Sequence, residues 1–354
     1  MDTLRSACLN RCRIRRALTH TVIDWDNIQV EVCSIGWGPF GLRTEPLQAE
    51  EIDAHLQSLT LESPLTLHGG PPTFSYPLSS WVYHEKLGQI RTIFQMGFEL
   101  SVYAPEELAG MYWYLAHICS THLAHIDRIQ TFVLAEQKRK QRAHRSPSFE
   151  KSLAVLDRHR TYLLATDSFA LALHALYVFL DRQKVLPHAA SDDAYSKARL
   201  RYELRMKPLI PISLPELVSF DVYEGEATLR GETDAAVLDR AAAAVGEARK
   251  GWEAVLAHGA FLPSFDGRPP IPKPAIEADW QRKTKDSLRA CIGASIAIET
   301  VRKIYTTQNS SATTPTKPPA SLPLRVEIPD IHSAARWHDW WAVPRISEVS
   351  SGHR

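Results

Sequence analysis

Gly97-Phe98-Glu99-Leu100-Ser101-Val102-Tyr103-Ala104-Pro105-Glu106-Glu107-Leu108-Ala109-Gly110-Met111-Tyr112-Trp113-Tyr114-Leu115 is the stretch whose reading decides the fold. Pro105 stands where a missing N–H costs nothing, and Glu106 and Glu107 place negative charge at the positive end of a helix dipole. A helix is therefore predicted to start at 105 and to run to about Val133. Upstream, Leu87, Ile90, Phe94 and Phe98 recur at spacings of three and four, which predicts another helix over 81–100. Consecutive helical side chains point ~100° apart, so Tyr112, Trp113 and Tyr114 cover most of one helix circumference. Each can bury ~150–250 Å², so that helix must be surrounded on several sides. Two readings stand: a helix junction of the chain's own core, or a junction that faces a partner. Gly97 permits close approach of another backbone in either. Glu99 would be costly unpaired beside Phe98 and Leu100, and Tyr103 is a donor for it if the helix persists that far.

The same helical pattern continues outward. Ser146-Pro147-Ser148 opens a third helical region through Leu180, and Thr233-Asp234 caps an alanine-rich helix ending near Gly259. A further helix is predicted from about Ala275 to Tyr305. Pro208, Pro211 and Pro215 enforce an irregular strap, because each removes a donor and biases its predecessor out of the helix. Residues 36–77 read as loop-rich, with a short helical patch near Glu50 to Leu59. The fold class is all-α, an irregular multi-helix scaffold with extended loops and an aromatic C-terminal tail. Its expected organisation is a helical region over 1–137, a basic linker over 138–147, and a second helical region over 148–308. A Ser/Thr/Pro/Lys-rich linker follows over 309–323, then a tail over 324–354 whose Trp337, Trp340 and Trp341 predict docking on the helices. No repeat of fixed period is legible, which argues against a solenoid of identical units.

Composition narrows the function. The 354 residues carry 41 Lys plus Arg against 40 Asp plus Glu, a net charge of +1, so only local charge clusters can attract nucleic acid. Five cysteines, Cys8, Cys12, Cys33, Cys119 and Cys291, are an odd and irregularly spaced set, best read as reduced thiols of a cytoplasmic protein. Arg5, Arg11, Arg13, Arg15 and Arg16 against the single acid Asp2 resemble a mitochondrial presequence; the rival reading is a basic first helix. The run Phe169 to Leu180 is interrupted by His174 and too short to span ~30 Å of hydrocarbon, so no membrane crossing is expected.

Motifs for chemistry fail on context. Gly36-Trp37-Gly38-Pro39-Phe40-Gly41 matches G-x-G-x-x-G, but Pro46 blocks the helix a dinucleotide site needs, and Trp37 and Phe40 would crowd the phosphates. His117, His122 and His125 share one helix without a converging partner tract, so exposed or core-edge histidines are expected rather than a metal site. No G-x-S-x-G elbow or P-loop is present. The Gln/Arg-x-x-Gly-x-Gly/Ala loop that cradles acetyl-CoA is missing too, since Cys33 lies three before Gly36. Neither a catalytic residue nor a cofactor or metal is expected.

Two stretches are too specific for a generic core: residues 97–115, and Arg201-Tyr202-Glu203-Leu204-Arg205 with Pro208 and Pro215 after it. Arg201 and Arg205, at i,i+4, have the geometry to grip carboxylates, with Glu99 a candidate acceptor; a solvated helix end is the rival reading. The pattern Gly97-Phe98-Glu99-Leu100-x-x-Tyr103-x-x-x-Glu107-x-x-x-x-Tyr112-Trp113-Tyr114-Leu115 resembles the signature of the large auxiliary subunit of the NatC N-terminal acetyltransferase, and 201–205 is similar to that family's second block. The resemblance covers the chain from about Arg11 onward and lacks the N-terminal half of the longer family members. It implies a non-catalytic helical scaffold in a complex that acetylates nascent chains beginning with Met and a bulky hydrophobic residue. Its partners would be a separate catalytic subunit and a small Sm-like subunit. Lys138, Arg139, Lys140, Arg142 and Arg145 fit contact with rRNA phosphates at the ribosome, against rival readings as a nuclear-localisation signal or a solvated loop. The alternative from another class is a free-standing ribosome- or RNA-binding helical protein.

Overall fold

The computed structural model of the chain describes residues 60–62, 75–77, most of 87–98, 101–139, 147–186, 199–200, 202, 219–258, 273–311, 322–329 and 341–349. Helical residues between 87 and 98 form α1. It stops where Ser101 turns left-handed, at φ 51°. The Val102 N–H then reaches back to the Gly97 carbonyl at 2.9 Å and the Ser101 N–H to that of Phe98 at 3.1 Å, which is the Schellman way of satisfying a helix end. The helix thus does not persist to Tyr103, as an i,i+4 pairing with Glu99 would need; Glu99 itself lies outside the described residues.

The predicted start at Pro105 is a single 3-10 turn, Pro105–Glu107, that leads into α2, Leu108–Arg139. Glu107 turns its carboxylate back onto the Ala104 N–H at 2.8 Å, meeting one of the donors a helix start leaves open. α2 ends six residues beyond Val133, because Ala135-Glu136-Gln137-Lys138-Arg139 is a run of strong helix formers. Lys138 and Arg139 therefore belong to the helix and not to a linker. α3 spans Pro147–Arg182, with proline at its first position, where it is best tolerated. Phe220–Ala227 is α4, Asp234–His258 is α5 and Lys273–Ser311 is α6. The Thr233 hydroxyl accepts from the Ala236 N–H at 3.2 Å, the cap its sequence predicts.

α3 is the centre. It packs along α2 on one side and α5 on another, with α6 laid against α5. From Ala172 to Leu180 every residue is buried, as expected of a helix that is apolar all round. The stretch Leu156–Arg182 is long and apolar enough to cross a membrane by length and composition, which corrects the reading from Phe169–Leu180 alone; 78% of its most apolar window is buried inside the protein. Gly251 of α5 brings the two backbones together: a Cβ there would stand 3.0 Å from the Ala165 Cα. At the end of α3, Arg182 donates to the carbonyls of Thr228, Leu229 and Glu232 at 2.7–2.8 Å and pairs with Asp234 at 3.3 Å, fastening the turn between α4 and α5.

The fold is all-α as expected, with two short antiparallel strand pairs added to the helices. β1, Thr60–Glu62, pairs with β2, Ser75–Pro77, inside the stretch read as loop. β3, Leu324–Glu327, pairs with β4, Arg345–Glu348, with Val326 opposite Ile346. The predicted linker is shorter than 309–323, since α6 runs through Ser311 and Leu322 is already buried.

Candidate functional site

Of the residues singled out by sequence, Phe98, Tyr103, Tyr112, Trp113, Tyr114 and Tyr202 meet in one aromatic junction. Phe98 stacks on Tyr112 with centroids 4.0 Å apart and planes 5° apart, and Phe94 meets Tyr114 at 5.0 Å. These contacts join α1 to α2. Tyr112 also faces Tyr177 of α3 at 5.9 Å and Trp341 at 6.2 Å. Trp113 points elsewhere, edge-on to Tyr223 of α4 at 5.2 Å and stacked on His117 at 5.4 Å. Tyr202, from the second sequence block, packs on the same Tyr223 at 5.0 Å and on Phe220 at 5.5 Å. The first block and Tyr202 of the second therefore meet at Tyr223 of α4.

The rings are packed inside this chain. Tyr112 and Tyr114 are fully buried, Phe98 is 4% exposed and Trp113 8% exposed, all against residues of this chain. At ~25 cal/mol per Å², each such ring contributes several kcal/mol to folding. Burial drives the Tyr112 and Tyr114 phenols well above the usual tyrosine range, so both stay neutral. The Tyr112 oxygen accepts from the Ala342 N–H at 2.8 Å, while the Tyr177 hydroxyl donates to the Ala342 carbonyl at 2.7 Å.

Gly97, expected from sequence to admit another backbone, makes room for the Tyr103 side chain. A Cβ at 97 would overlap the ring of Tyr103, which lies edge-on to Phe98 and donates to the Phe94 carbonyl at 3.4 Å. Gly110 serves Tyr223 in the same manner. Glu107 is buried at the start of α2. Arg201, Arg205, Pro208 and Pro215 lie outside the described residues, and with them the suggested grip on Glu99. Of the basic run, Lys138 and Arg139 are the last two residues of α2, whereas Lys140, Arg142 and Arg145 lie outside the described residues. So do Gly36–Gly41 and Cys8, Cys12 and Cys33.

The histidines are deeper than expected. His122 is fully buried and His125 nearly so, with His122 edge-on to His159 at 4.8 Å. Among the described residues no three His, Cys, Asp or Glu side chains gather as metal ligands would. Cys119 and Cys291 are buried free thiols, pushed by burial up to about 12 and so poor nucleophiles. Asp167 is a carboxyl held high, at about 6, by burial, with the Ser120 hydroxyl donating to it at 3.1 Å and opposing that rise. His174 is held low, at about 4, by burial; its Nδ1–H donates to the Ala109 carbonyl at 2.9 Å.

Sequence reasoning missed Tyr177, Phe169, Tyr223 and Trp252 as members of the junction, although each is a large ring at a core spacing in its helix. Ala342 carries no signal at all, because its part is played by its backbone.

Such an arrangement defines an all-helical packing scaffold, organised around interlocked aromatic rings. Residues 1–312 match the family described as NAA35-like, TPR repeats, and the chain belongs to that family. Its helices differ widely in length, from 8 to 39 residues, which is why no fixed period is legible in the sequence. The chain is 22% identical over 255 residues to N-alpha-acetyltransferase 35, NatC auxiliary subunit, of Saccharomyces cerevisiae, an alignment covering 63% of this chain and 29% of that protein. Its fold is similar to a chain in the crystal structure of the NatC complex bound to Gag peptide and CoA, with a TM-score of 0.62 and 14% identity. The apo NatC complex gives a TM-score of 0.60 at the same identity. Both likenesses cover 95% of this chain and 45% of the other, so the chain spans less than half the length of the proteins it matches.

Proposed function

We propose that this chain is the auxiliary scaffold of a NatC-type N-terminal acetyltransferase complex, in which a separate subunit binds acetyl-CoA and transfers the acetyl group. The observation that carries the reading is the family match over residues 1–312 together with the two aromatic blocks that the fold brings into one junction. The signature rings act through the fold: they hold α1, α2, α3 and α4 in register, and the outer faces of those helices present the partner-binding surface. A small Sm-like subunit is the third member. The substrates are nascent chains beginning with Met and a bulky hydrophobic residue, met at the ribosome in the cytoplasm.

The tagged full chain, recovered from its own cells, is expected to bring down a CoA-binding acetyltransferase that modifies a Met-Leu peptide, while the isolated chain leaves that peptide unmodified. Recovery without any transferase, or turnover by the isolated chain, overturns the proposal. Ribosome contact is assigned to the basic end of α2 and the residues after it, from Lys138 to Arg145. Replacing Lys138, Arg139, Lys140, Arg142 and Arg145 with Ala should lower the salt slope of ribosome binding by up to about 0.9 for each phosphate that these side chains neutralise. Co-sedimentation that is unchanged across salt removes that assignment.

A further inference from the structure

A segment far along the chain reaches the middle of the bundle without belonging to any helix. Trp341 is 4% exposed. Its ring centroid lies 4.5 Å from that of Phe169, 6.2 Å from Tyr112 and 6.4 Å from Trp252. Its indole N–H donates to the Ser287 hydroxyl of α6 at 3.2 Å. Ala342 follows, in neither helix nor strand and yet buried. Irregular backbone that is buried needs both its polar groups satisfied. Here side chains do it: the Tyr112 oxygen takes the Ala342 N–H at 2.8 Å, and the Tyr177 hydroxyl gives to the Ala342 carbonyl at 2.7 Å. The Trp341 carbonyl is met within the segment by the Val343 N–H at 3.0 Å.

Those contacts have the chemistry of peptide recognition. A large aromatic anchor fills a pocket, a small residue follows it, and fixed donors and acceptors read the main chain between them. β3 and β4 pair only with each other, so no backbone ladder among the described residues ties this segment to the helices. The connection back to α6, residues 312–321, is rich in Thr and Pro, the composition of an extended spacer. We propose that Tyr112, Tyr177, Ser287, Phe169 and Trp252 form a peptide-binding slot whose ligand is this chain's own Trp341-Ala342, held in cis as a latch that can leave and return. The slot takes an extended peptide with a tryptophan followed by a small residue bearing a free N–H. One signature tyrosine is thereby explained by its hydroxyl as well as its ring.

The test uses the full chain with a specific protease site placed in 312–321, cleaved after folding. The freed tail is expected to stay bound and to exchange with a fluorophore-labelled synthetic peptide spanning 322–349, followed by anisotropy. A peptide with Trp341→Ala should bind about 30-fold or more weaker, as for an interface hot spot. Ala342→Pro, which removes the N–H read by Tyr112, should cost about tenfold. A tail that exchanges only when the helices unfold, or a Trp341→Ala peptide that binds like the original, overturns the proposal. Native-state hydrogen exchange on the uncut chain tests the same point should the insertion itself prevent folding. The amides of 324–327 and 342–349 should exchange together and well before those of α3; exchange of both sets at one common rate sinks the latch.

Discussion

Replacing Tyr112 separates a core role from a partner-facing one. Tyr112→Ala deletes a fully buried ring that stacks on Phe98, Tyr177 and Trp341, and leaves the Ala342 N–H without its acceptor. Removing a large aromatic from a packed core costs about 3–5 kcal/mol, and an orphaned buried donor adds about 1–3 kcal/mol. A loss of roughly 4–8 kcal/mol is large against the ~5–15 kcal/mol that holds a native protein together. With a urea slope of about 3 kcal/mol/M, the unfolding midpoint of the isolated chain should fall by roughly 1.3–2.7 M. Tyr112→Phe keeps the ring and removes only the oxygen, so its midpoint should fall by no more than about 1 M. Circular dichroism of the isolated variants through a urea series reads both numbers. The reasoning fails if Tyr112→Ala unfolds with the wild-type midpoint yet no longer recovers the transferase, since the ring would then be serving a partner and not this fold.

Two further outcomes follow from close contacts and from buried charge. Gly251→Ala should destabilise by about 1–3 kcal/mol, because its Cβ would press on the Ala165 backbone, whereas Gly246→Ala on the same helix meets nothing and should gain up to about 1 kcal/mol; thermal melts of the two variants should move in opposite directions. His174, lowered from 6.5 to about 4 by burial, contributes stability that is present above pH 6.5 and lost as pH falls towards 4, at most roughly 3 kcal/mol. Asp167, raised from 3.8 to about 6 by burial, acts with the opposite sign, its penalty present above pH 6 and relieved towards 4. The two nearly cancel between pH 6 and 4, so Asp167→Asn should make the acid loss of stability visibly steeper, and an unchanged slope in urea titrations across that window would contradict the assignment.

Local rules carry far into this fold. The cap at Thr233, the start at Pro105 and the three-and-four spacing of Leu87, Ile90, Phe94 and Phe98 are written in neighbouring residues, and the helices form where those signals stand. What sequence could not place is what depends on distant partners. β3 and β4 are short, separated by seventeen residues, and held by a pairing that no local pattern announces. The helix predicted over 81–100 ends beside a left-handed cap, but that cap is Ser101, without the usual glycine to announce it. Ala342 is the extreme case, because a residue recognised by its peptide group leaves no side-chain trace.

The question of interface against core has a geometric answer at the signature. Three consecutive helical positions point in three directions, and every direction here meets this chain: Tyr112 meets α1, α3 and the Trp341 segment, Trp113 meets α4, and Tyr114 meets α1. A surface presented to one partner would need only one such direction, with the other two free to be polar. Aromatic residues in all three are what a helix needs when its own chain encloses it. The same geometry bears on the second block, whose Tyr202 packs on Tyr223 of α4, an eight-residue helix too short to hold its position alone. Trp113 and Tyr202 both pack on the Tyr223 ring of that helix, and Gly110 leaves the gap into which this tyrosine fits. Trp113 of the first block and Tyr202 of the second therefore act on one and the same helix, which lies between α3 and α5.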